Sequence, residues 1–582
     1  MNTKLLSQNL SRIWASLIIN ELYQNQITQF YISPGMRNAP LIAALDHLKQ
    51  FYPEIQMIIC VDERAAAYRA LGYSKATGKP SVLICTSGTA MANYYPAVIE
   101  AYKSNLPLII ISADRPPELS YCDDNQTIDQ IKFFGKYVRG EMSLSPELEI
   151  SPLALTTTIS NLIHKSLFPQ MGPVHLNAPF REPLENTSTS IPASYIELAN
   201  FQMNRMLPST AYAELETHLS KKGLMDLAKR LNSSEKGILV IGSLTPVEDL
   251  KIIKNFVQKL SWPTYFDISS SLKYEFNLQN NTLPTFDHPE VQEELVKNPP
   301  HTILHIGGRL TSKHYYSILK KLPDINLITL NKSIDKEDPS HHTKLRINAD
   351  IGPTLHGLYD LIAPQFNQQK YSERFYKFSE EKRKIIDAGP LSFPLVSKTI
   401  IDLIPDDRIL YLGNSTAVRS FDSYISQDIN KHITVATNRG VSGIEGFIAS
   451  SCGLADGTHR EVNLVFGDIS FIHDLNSLYF LKTLNTPIKM IVINNFSGGI
   501  FTLLPINKET DVIKYIASPH QNTFENAAKL AEIEYLAVTN KNDLKNKLME
   551  TFNKTHHCLL EIFVNNDENI SVYELLRTIK LD

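Results

Sequence analysis

Residues 462–501, VNLVFGDISFIHDLNSLYFLKTLNTPIKMIVINNFSGGIF, constrain the fold more tightly than any other stretch of the chain. Val462 to Phe466 is a short apolar run that stops at Gly467-Asp468, and Ile488 to Ile493 is a second that stops at Asn494-Asn495. Both read as buried strands. Between them, His473 to Leu484 carries apolar residues at helical spacing. Two parallel strands need a crossover between them, so strand, helix and strand of this length form a right-handed βαβ unit. Asp468 and Asn495 then lie at the carboxyl ends of neighbouring strands, where open parallel sheets bind ligands.

One carboxylate, one amide oxygen and a loop carbonyl make a half-shell of hard oxygen donors. Such a set suits magnesium, which completes its octahedron with water and phosphate. Taken singly, Asp468 and Asn495 are as readily turn formers after a strand. Their combination, Gly467-Asp468, about 26 intervening residues and then Asn494-Asn495, resembles the diphosphate-and-magnesium signature of thiamine diphosphate enzymes. A glycine at 467 lets the backbone approach a diphosphate closely.

The same alternation begins at Ile27: ITQFYI, a helix from about Pro40, MIICV, a helix from Glu63, SVLICT, a helix from Thr89, then PLIIIS. It predicts a parallel α/β sheet with polar clusters where strands end. These clusters are Ser33 to Arg37, Asp62-Glu63-Arg64, Thr86 to Thr89, Ala113 to Glu118 and Asn125-Gln126-Thr127. Glu63 in the first turn of a helix is favoured by the helix dipole alone. Its functional alternative is a hydrogen bond to the aminopyrimidine of thiamine diphosphate, a general base acting through the cofactor. Ser87-Gly88-Thr89 reads equally as a helix cap and as a cofactor contact. Arg37 and Arg115, two arginines at strand ends of one sheet, together suit bidentate binding of carboxylates, with Gln126 beside them.

At 582 residues the chain exceeds one core and implies three or four domains. Boundaries are expected at 1–186, 205–360 and 385–582, with a Ser, Thr and Pro-rich linker over Asn186 to Pro192 and a helical connector over Gln365 to Lys384. The middle region carries strands at GILVIG, TILHIGG and NLITLN and one Gly-rich loop, Gly307 to Lys313, which lacks P-loop or dinucleotide spacing. Lys313 either reaches a substrate carboxylate or is simply solvated. In the third region Ser415 and Arg419 follow a strand, and Arg439 opens the series Gly440, Gly443, Gly446, expected to pack a helix against cofactor or sheet. The pairs His341-His342 and His556-His557 have no matching carboxylates and are expected in solvated loops.

With 43% hydrophobic and 20% charged residues and a net charge of −4, the composition is that of a soluble protein without a basic field for nucleic acid. No apolar run reaches the roughly 18 residues of a membrane span. Leu10, Ile13, Trp14, Leu17 and Ile18 form a helix face interrupted by Ser11, Arg12 and Ser16, so no secretion signal is expected, and a cytoplasmic location is. Five scattered cysteines, Cys60, Cys85, Cys122, Cys452 and Cys558, read as buried thiols in a reducing compartment.

Several motifs taken together are specific: SPGMRNAPL, VDERAAAYRALG, CTSGTAMANYYPAVIEA, ADRPPEL with NQTIDQ, GNSTAVRSFD, NRGVSGIEG, GDISFIHDLNSL and INNFSGGIFTLLP. They resemble the 2-succinyl-5-enolpyruvyl-6-hydroxy-3-cyclohexene-1-carboxylate (SEPHCHC) synthases, a family of thiamine diphosphate enzymes of menaquinone biosynthesis. The resemblance is close over the first and third regions and thin over the middle one. It implies three doubly wound α/β domains with parallel sheets: pyrimidine-binding, central, and diphosphate- and metal-binding. It also implies decarboxylation of 2-oxoglutarate and 1,4-addition of the succinyl unit to isochorismate.

Carried over residue by residue, the resemblance makes Glu63 the cofactor-activating glutamate. Asp468, Asn495 and the Ser497 backbone carbonyl become ligands of magnesium or manganese. Ser87, Gly88, Thr89, Ser415, Gly467 and Ile469 fall at the cofactor, and Ile444, Ile500, Phe501 and Leu504 around its thiazolium. Ser415, Arg419 and Arg439 hold the oxoacid, while Arg37, Arg115, Gln126 and Lys313 line the isochorismate side. Met36 stands where the family usually has serine and Ser497 where it usually has glycine, so a hydroxyl near isochorismate is missing. A homodimer or dimer of dimers is implied, with each site shared between two subunits. Another carboligase or decarboxylase of the superfamily would take monocarboxylates, which the surplus of strand-end arginines disfavours. A catalytically silent scaffold is disfavoured by the joint presence of Glu63, Asp468 and Asn495.

Overall fold

Short apolar runs separated by helices assemble here as three wholly parallel sheets. The computed structural model describes residues 8–245, 248–275, 282–363, 369–424 and 430–581. The first sheet holds β1 (Gln29–Ile32), β2 (Gln56–Ile59), β3 (Ser81–Cys85), β4 (Leu108–Asp114), β5 (Gly140–Ser143) and β6 (Val174–Pro179), in the order β2-β1-β3-β4-β6-β5. The second holds β7 (Gly237–Ile241), β8 (Thr264–Phe266), β9 (Thr302–Ile306), β10 (Asn326–Leu330) and β11 (Thr343–Ile347), in the order β11-β10-β9-β7-β8. The third holds β12 (Arg408–Leu412), β13 (Ile433–Thr437), β14 (Val462–Gly467), β15 (Ile488–Asn494), β16 (Glu534–Val538) and β17 (Cys558–Phe563), in the order β13-β12-β14-β15-β17-β16. Counted from each sheet's own first strand, the first and third orders are identical. The strand order reverses between β1 and β3, between β7 and β9, and between β12 and β14, and in the first and third sheets it reverses again at the far edge, where β6 lies between β4 and β5 and β17 between β15 and β16.

Alternation along the strands divides the cores. Phe30, Ile32, Ile109 and Ile111 face a core closed by the Leu10–Gln24 helix. Tyr31, Leu108 and Ile110 face the other way, into a core shared with Tyr411, Leu464, Phe466 and Met490 of the third sheet. That shared core is centred on two helices, Glu63–Thr77 and Phe447–Thr458, which meet backbone to backbone. A Cβ at Gly72 would overlap the Ser450 carbonyl, and one at Gly453 the Arg69 carbonyl. The Arg69 guanidinium grips Asp456 with two bonds of 2.8 and 2.9 Å. A further core joins the second sheet to the third, with Tyr265 and Phe286 beside Leu412 and Val418.

Several local expectations are corrected. The crossover after β14 is an α-helix only over Asp468–His473, followed by a 3-10 segment, Leu475–Lys482. Asp474 there accepts the N–H groups of Ile448 and Ala449 at 2.7 and 3.3 Å and the Ser477 hydroxyl at 2.7 Å, which anchors the junction to the Phe447–Thr458 helix. The helix expected from Thr89 begins as 3-10 over Gly88–Tyr94 and becomes α at Tyr95–Ser104. The connector runs as a helix over Gln369–Ala388, and residues 365–368 of the expected segment lie outside the described ones. The helix Ala193–Met203, after the Ser, Thr and Pro-rich segment, packs back on the first core, where Trp14 Nε1 donates to the Tyr195 hydroxyl at 2.9 Å.

Of the thiols, Cys122 is exposed, in the irregular segment after β4, while the other four are buried. His557 is not a solvated loop residue: its Nδ1 accepts the Ile488 N–H at 3.0 Å and its Nε2 lies 2.8 Å from the Leu484 carbonyl, so it ties β15 to β17. Gly440 and Gly446 pack the loop after β13 against helices of the first unit, at Glu100 and Tyr68, where packing on the sheet was the alternative expected. Among the described residues, no helix is long and apolar enough to cross a membrane.

Candidate active site

Gly467 ends β14 and Asp468 follows it, at the reversal point of the third sheet, and the neighbouring β12 is followed by Gly413-Asn414-Ser415. Asp468 is buried. Its Oδ2 accepts the backbone N–H groups of Asn495 and Ser497, both at 3.1 Å, and its Oδ1 that of Ile469 at 2.7 Å. Burial pushes its carboxyl up to about 6 in spite of these bonds. The strand ends thus bring Asp468, Asn495 and Ser497 together as the sequence predicts.

Two further residues complete this corner. Asn566, opening the Asn566–Arg577 helix after β17, accepts from Asn495 Nδ2 at 2.7 Å and donates to Ser497 Oγ at 2.8 Å. The Asn495 amide is thereby turned with its nitrogen toward Asn566 and its oxygen away. His520 Nε2 lies 3.3 Å from Asp468 Oδ2. Asn565-Asn566-Asp567, directly after a strand, was a visible polar cluster, whereas His520 comes from an irregular loop with no periodic signal.

A divalent cation with diphosphate fits this corner on two observations. Asp468 is a buried carboxylate with no Lys or Arg in ion-pair distance among the described residues, and its neighbours, the Asn495 amide oxygen and the Ser497 carbonyl, are hard oxygen donors. A Cβ at Gly467 would meet nothing within 4 Å, so open space lies against the backbone where a diphosphate needs it. Among the described residues no three His, Cys, Asp or Glu side chains cluster for a metal, and this one-carboxylate site requires no such cluster.

Around it, Ser415 begins the Thr416–Ser423 helix at φ 66°, ψ −129°, a strained conformation for a residue with a side chain. Its carbonyl accepts from Arg419 Nη1 at 2.7 Å. Arg439 Nη1 donates to Asn414 Oδ1 at 3.1 Å. The two arginines thus bond adjacent residues, Ser415 and Asn414, and burial and then the charge of Arg439 lower the Arg419 pKa. Neither forms an ion pair among the described residues. Ile444 is exposed, and Ile500, Phe501 and Leu504 are half-buried and outside the main cores.

The central unit adds Lys313, exposed at the start of the His314–Leu319 helix. Asp287 joins this loop to the third unit, since its two oxygens accept the hydroxyls of Ser312 and, at 2.7 Å, of Ser423. The central crevice itself is closed: Gly308 N donates to the Ser243 carbonyl at 2.8 Å across it.

At the carboxyl end of the first sheet, Glu63 opens its helix with Asp62 as the cap, Oδ1 accepting from Ala65 N at 3.2 Å. Burial, with the charge of Asp62 adding, raises the Glu63 carboxyl. Ser87 Oγ is buried without a hydrogen-bond partner. Gln126 Nε2 donates to the Ser87 carbonyl at 2.9 Å, and Thr89 is exposed beside Gly88. Arg37 bonds the Phe180 carbonyl at 3.0 Å and Glu182 at 3.1 Å, and Arg115 bonds Asp124 at 3.0 Å. Both arginines are thus engaged within the chain, and the charge of Arg115 helps to lower the Arg37 pKa. Met36 is 69% exposed next to Arg37.

Three family models match in succession: the N-terminal TPP binding domain of thiamine pyrophosphate enzymes over residues 14–133, the middle domain over 202–412 and the C-terminal TPP binding domain over 418–562. A 2-succinyl-5-enolpyruvyl-6-hydroxy-3-cyclohexene-1-carboxylate synthase of Syntrophus aciditrophicus is 37% identical, the match covering 99% of this chain and 100% of that one. The chain belongs to the SEPHCHC synthase family. A second member of the family, from Chlorobium phaeovibrioides, is 34% identical over 98% of this chain and 97% of its own. As a SEPHCHC synthase family member the chain is a thiamine diphosphate-dependent enzyme with three parallel α/β units. In fold it is also similar to the benzoylformate decarboxylase of Polynucleobacter necessarius, with a TM-score of 0.74, 16% identity and coverage of 95% of this chain and 98% of that one.

Proposed function

We propose that the chain decarboxylates 2-oxoglutarate and joins the succinyl unit to isochorismate in 1,4 fashion, forming the SEPHCHC named in its relatives and serving menaquinone synthesis in the cytoplasm. Arg419 and Arg439 carry this reading. Two guanidinium groups that bond the adjacent residues Ser415 and Asn414, after the strand paired with that of Asp468, and that form no ion pair among the described residues suit a substrate with two carboxylates better than pyruvate or benzoylformate.

Residues 385–582 would hold magnesium or manganese through Asp468, Asn495 and the Ser497 carbonyl, with Gly467 and Ile469 against the diphosphate. Residues 1–186 would hold the aminopyrimidine through Glu63, with Ser87, Gly88 and Thr89 beside it. When bound, thiamine diphosphate supplies the nucleophilic carbon and the electron sink for decarboxylation and ligation. Glu63, its carboxyl raised by burial, holds the proton that must move at the pyrimidine. Ile444, Ile500, Phe501 and Leu504 exclude water from the reacting centre. Ser415, Arg419 and Arg439 orient the oxoacid, and Arg37, Arg115, Gln126 and Lys313, the last from the central unit at 205–360, receive isochorismate.

A two-fold assembly, as a homodimer or dimer of dimers, is supported by exposed apolar side chains around the two units' contact. Ile59 and Val61 flank the start of the Glu63 helix, and Leu475 and Tyr479 follow the helix of Asp468. Incubation with 2-oxoglutarate, thiamine diphosphate and magnesium, with and without isochorismate, tests the reaction by product mass. The expected product is the sum of both substrates less carbon dioxide. With pyruvate in place of 2-oxoglutarate in a parallel incubation, turnover of pyruvate alone with no consumption of isochorismate in either would instead identify a different carboligase.

A further inference from the structure

The loop after β13, which carries Arg439, is gripped on the side away from its arginine by charged groups of the first unit. Glu100, on the Tyr95–Ser104 helix, is only 1% exposed. Its Oε1 accepts the backbone N–H of Gly440 at 2.8 Å and its Oε2 that of Val441 at 2.7 Å. Ser104 Oγ donates to the same Oε1 at 2.9 Å. Lys75, on the Glu63–Thr77 helix, donates to the Thr437 carbonyl and, at 2.9 Å, to Asn438 Oδ1. A Cβ at Gly440 would come within 2.6 Å of Ser104 Oγ and 2.8 Å of the Glu100 carbonyl, so the loop is seated directly on that helix.

A carboxylate is costly to bury, and this one is matched to two consecutive peptide N–H groups, one for each oxygen. One bond would fix a distance. Two on adjacent residues also fix the tilt of the peptide plane, and with it the direction in which Arg439 leaves the loop. From there Arg439 reaches Asn414 of the third unit at 3.1 Å and the Thr311 carbonyl of the central unit at 3.5 Å. The arginine thus hangs between two units while its backbone is set by a third.

We propose that Glu100 is a positioning residue for the 2-oxo diacid, forking Gly440 and Val441 so that Arg439 presents its guanidinium to a substrate carboxylate. This role rests on the assignment of Arg439 to that substrate made above. Glu100 touches neither substrate nor cofactor and acts only through the loop.

The test uses the full-length enzyme loaded with thiamine diphosphate and magnesium. Glu100→Gln keeps side-chain volume and one acceptor oxygen, but turns an amide donor toward an N–H. KM for 2-oxoglutarate should rise about tenfold, with kcat within about twofold and KM for isochorismate unchanged. Arg439→Ala should raise the same KM further. In the double variant Glu100→Gln should add nothing, because the group it positions is gone. A raised KM in Arg439→Ala with none in Glu100→Gln overturns the positioning role and leaves the substrate assignment standing. An unchanged KM in Arg439→Ala overturns the assignment itself. Additive effects in the double variant mean that Glu100 acts by another route and also overturn the proposal. If Glu100→Gln does not fold, Gly440→Ala, which presses the loop off Ser104, takes its place with the same expectations.

Discussion

Asp62 Oδ2 accepts the side-chain amide of Asn476 at 3.0 Å, although 414 residues separate them in sequence. Arg64 donates to the His473 carbonyl at 2.9 Å. Both neighbours of Glu63 are therefore tied to the third unit of their own chain, while the Glu63 carboxylate takes no side-chain partner among the described residues. The backbone beneath the proposed proton carrier is fixed from two sides and its carboxylate is left available.

Glu63→Gln should therefore disturb little but the chemistry. Tm should change slightly, since neither tether involves the substituted group. Exchange of the C2 proton of bound thiamine diphosphate for deuterium, followed by NMR after acid quench, should slow by about 100-fold or more. Exchange at the wild-type rate would remove Glu63 from its proposed role.

The two groups of arginines should separate the two substrates. Arg419→Ala should slow single-turnover release of carbon dioxide from 2-oxoglutarate. Arg115→Ala should leave that step near wild type and impair the consumption of isochorismate. Equal slowing of decarboxylation by both changes would show that the substrates are not divided in this way.

Stability should carry a pH signature from Asp474. Burial raises its carboxyl from 3.8 to about 6 in the folded chain. The folded state then holds a proton that the unfolded state has released, so this contribution is fully present below about pH 4 and is lost as pH rises through about 6. Asp474→Asn cannot ionise. The difference between wild-type and variant Tm, measured from pH 4 to 7, should shift against the wild type as pH rises and level off above about 6. A difference independent of pH would mean that Asp474 titrates normally.

Mixed assemblies test whether the site is shared. Glu63→Gln and Asp468→Ala homodimers should each be nearly inactive, the second also losing magnesium-dependent cofactor retention on gel filtration. In a mixed dimer with sites built across the two-fold axis, one site collects both defects and the other neither. With equal co-expression and random assortment, about a quarter of all sites are intact. Activity no greater than either parent, with mixed dimers shown to form, would place Glu63 and Asp468 of one site on the same chain.

Much of the Asp468 corner was legible because strand ends are local features. Apolar runs stopping at Gly467-Asp468 and Asn494-Asn495 mark the carboxyl edge of a sheet whatever lies around it, and Asp468, Asn495 and Ser497 do meet there. What supports that corner was not legible. Glu100 reads as an ordinary helix residue four positions from Ser104, and its partners Gly440 and Val441 lie 340 and 341 residues away. The engagement of Arg37 by Glu182 and of Arg115 by Asp124 escaped notice for a similar reason, since a side chain's availability depends on tertiary neighbours. The shift from α to 3-10 after His473 lies at Asp474, which bonds N–H groups of a different helix, a tertiary contact that periodicity does not register.

The meeting of the Glu63–Thr77 and Phe447–Thr458 helices, glycine against carbonyl, bears on how the enzyme moves. Packed helices shear past one another when intervening side chains can change rotamer and absorb the displacement. At Gly72 and Gly453 no side chain intervenes, and Arg69 with Asp456 resists slippage along the seam. The first and third units are consequently expected to move as one block. Opening of the proposed site is then expected in the loops beyond the strands, such as 115–126 and 496–505.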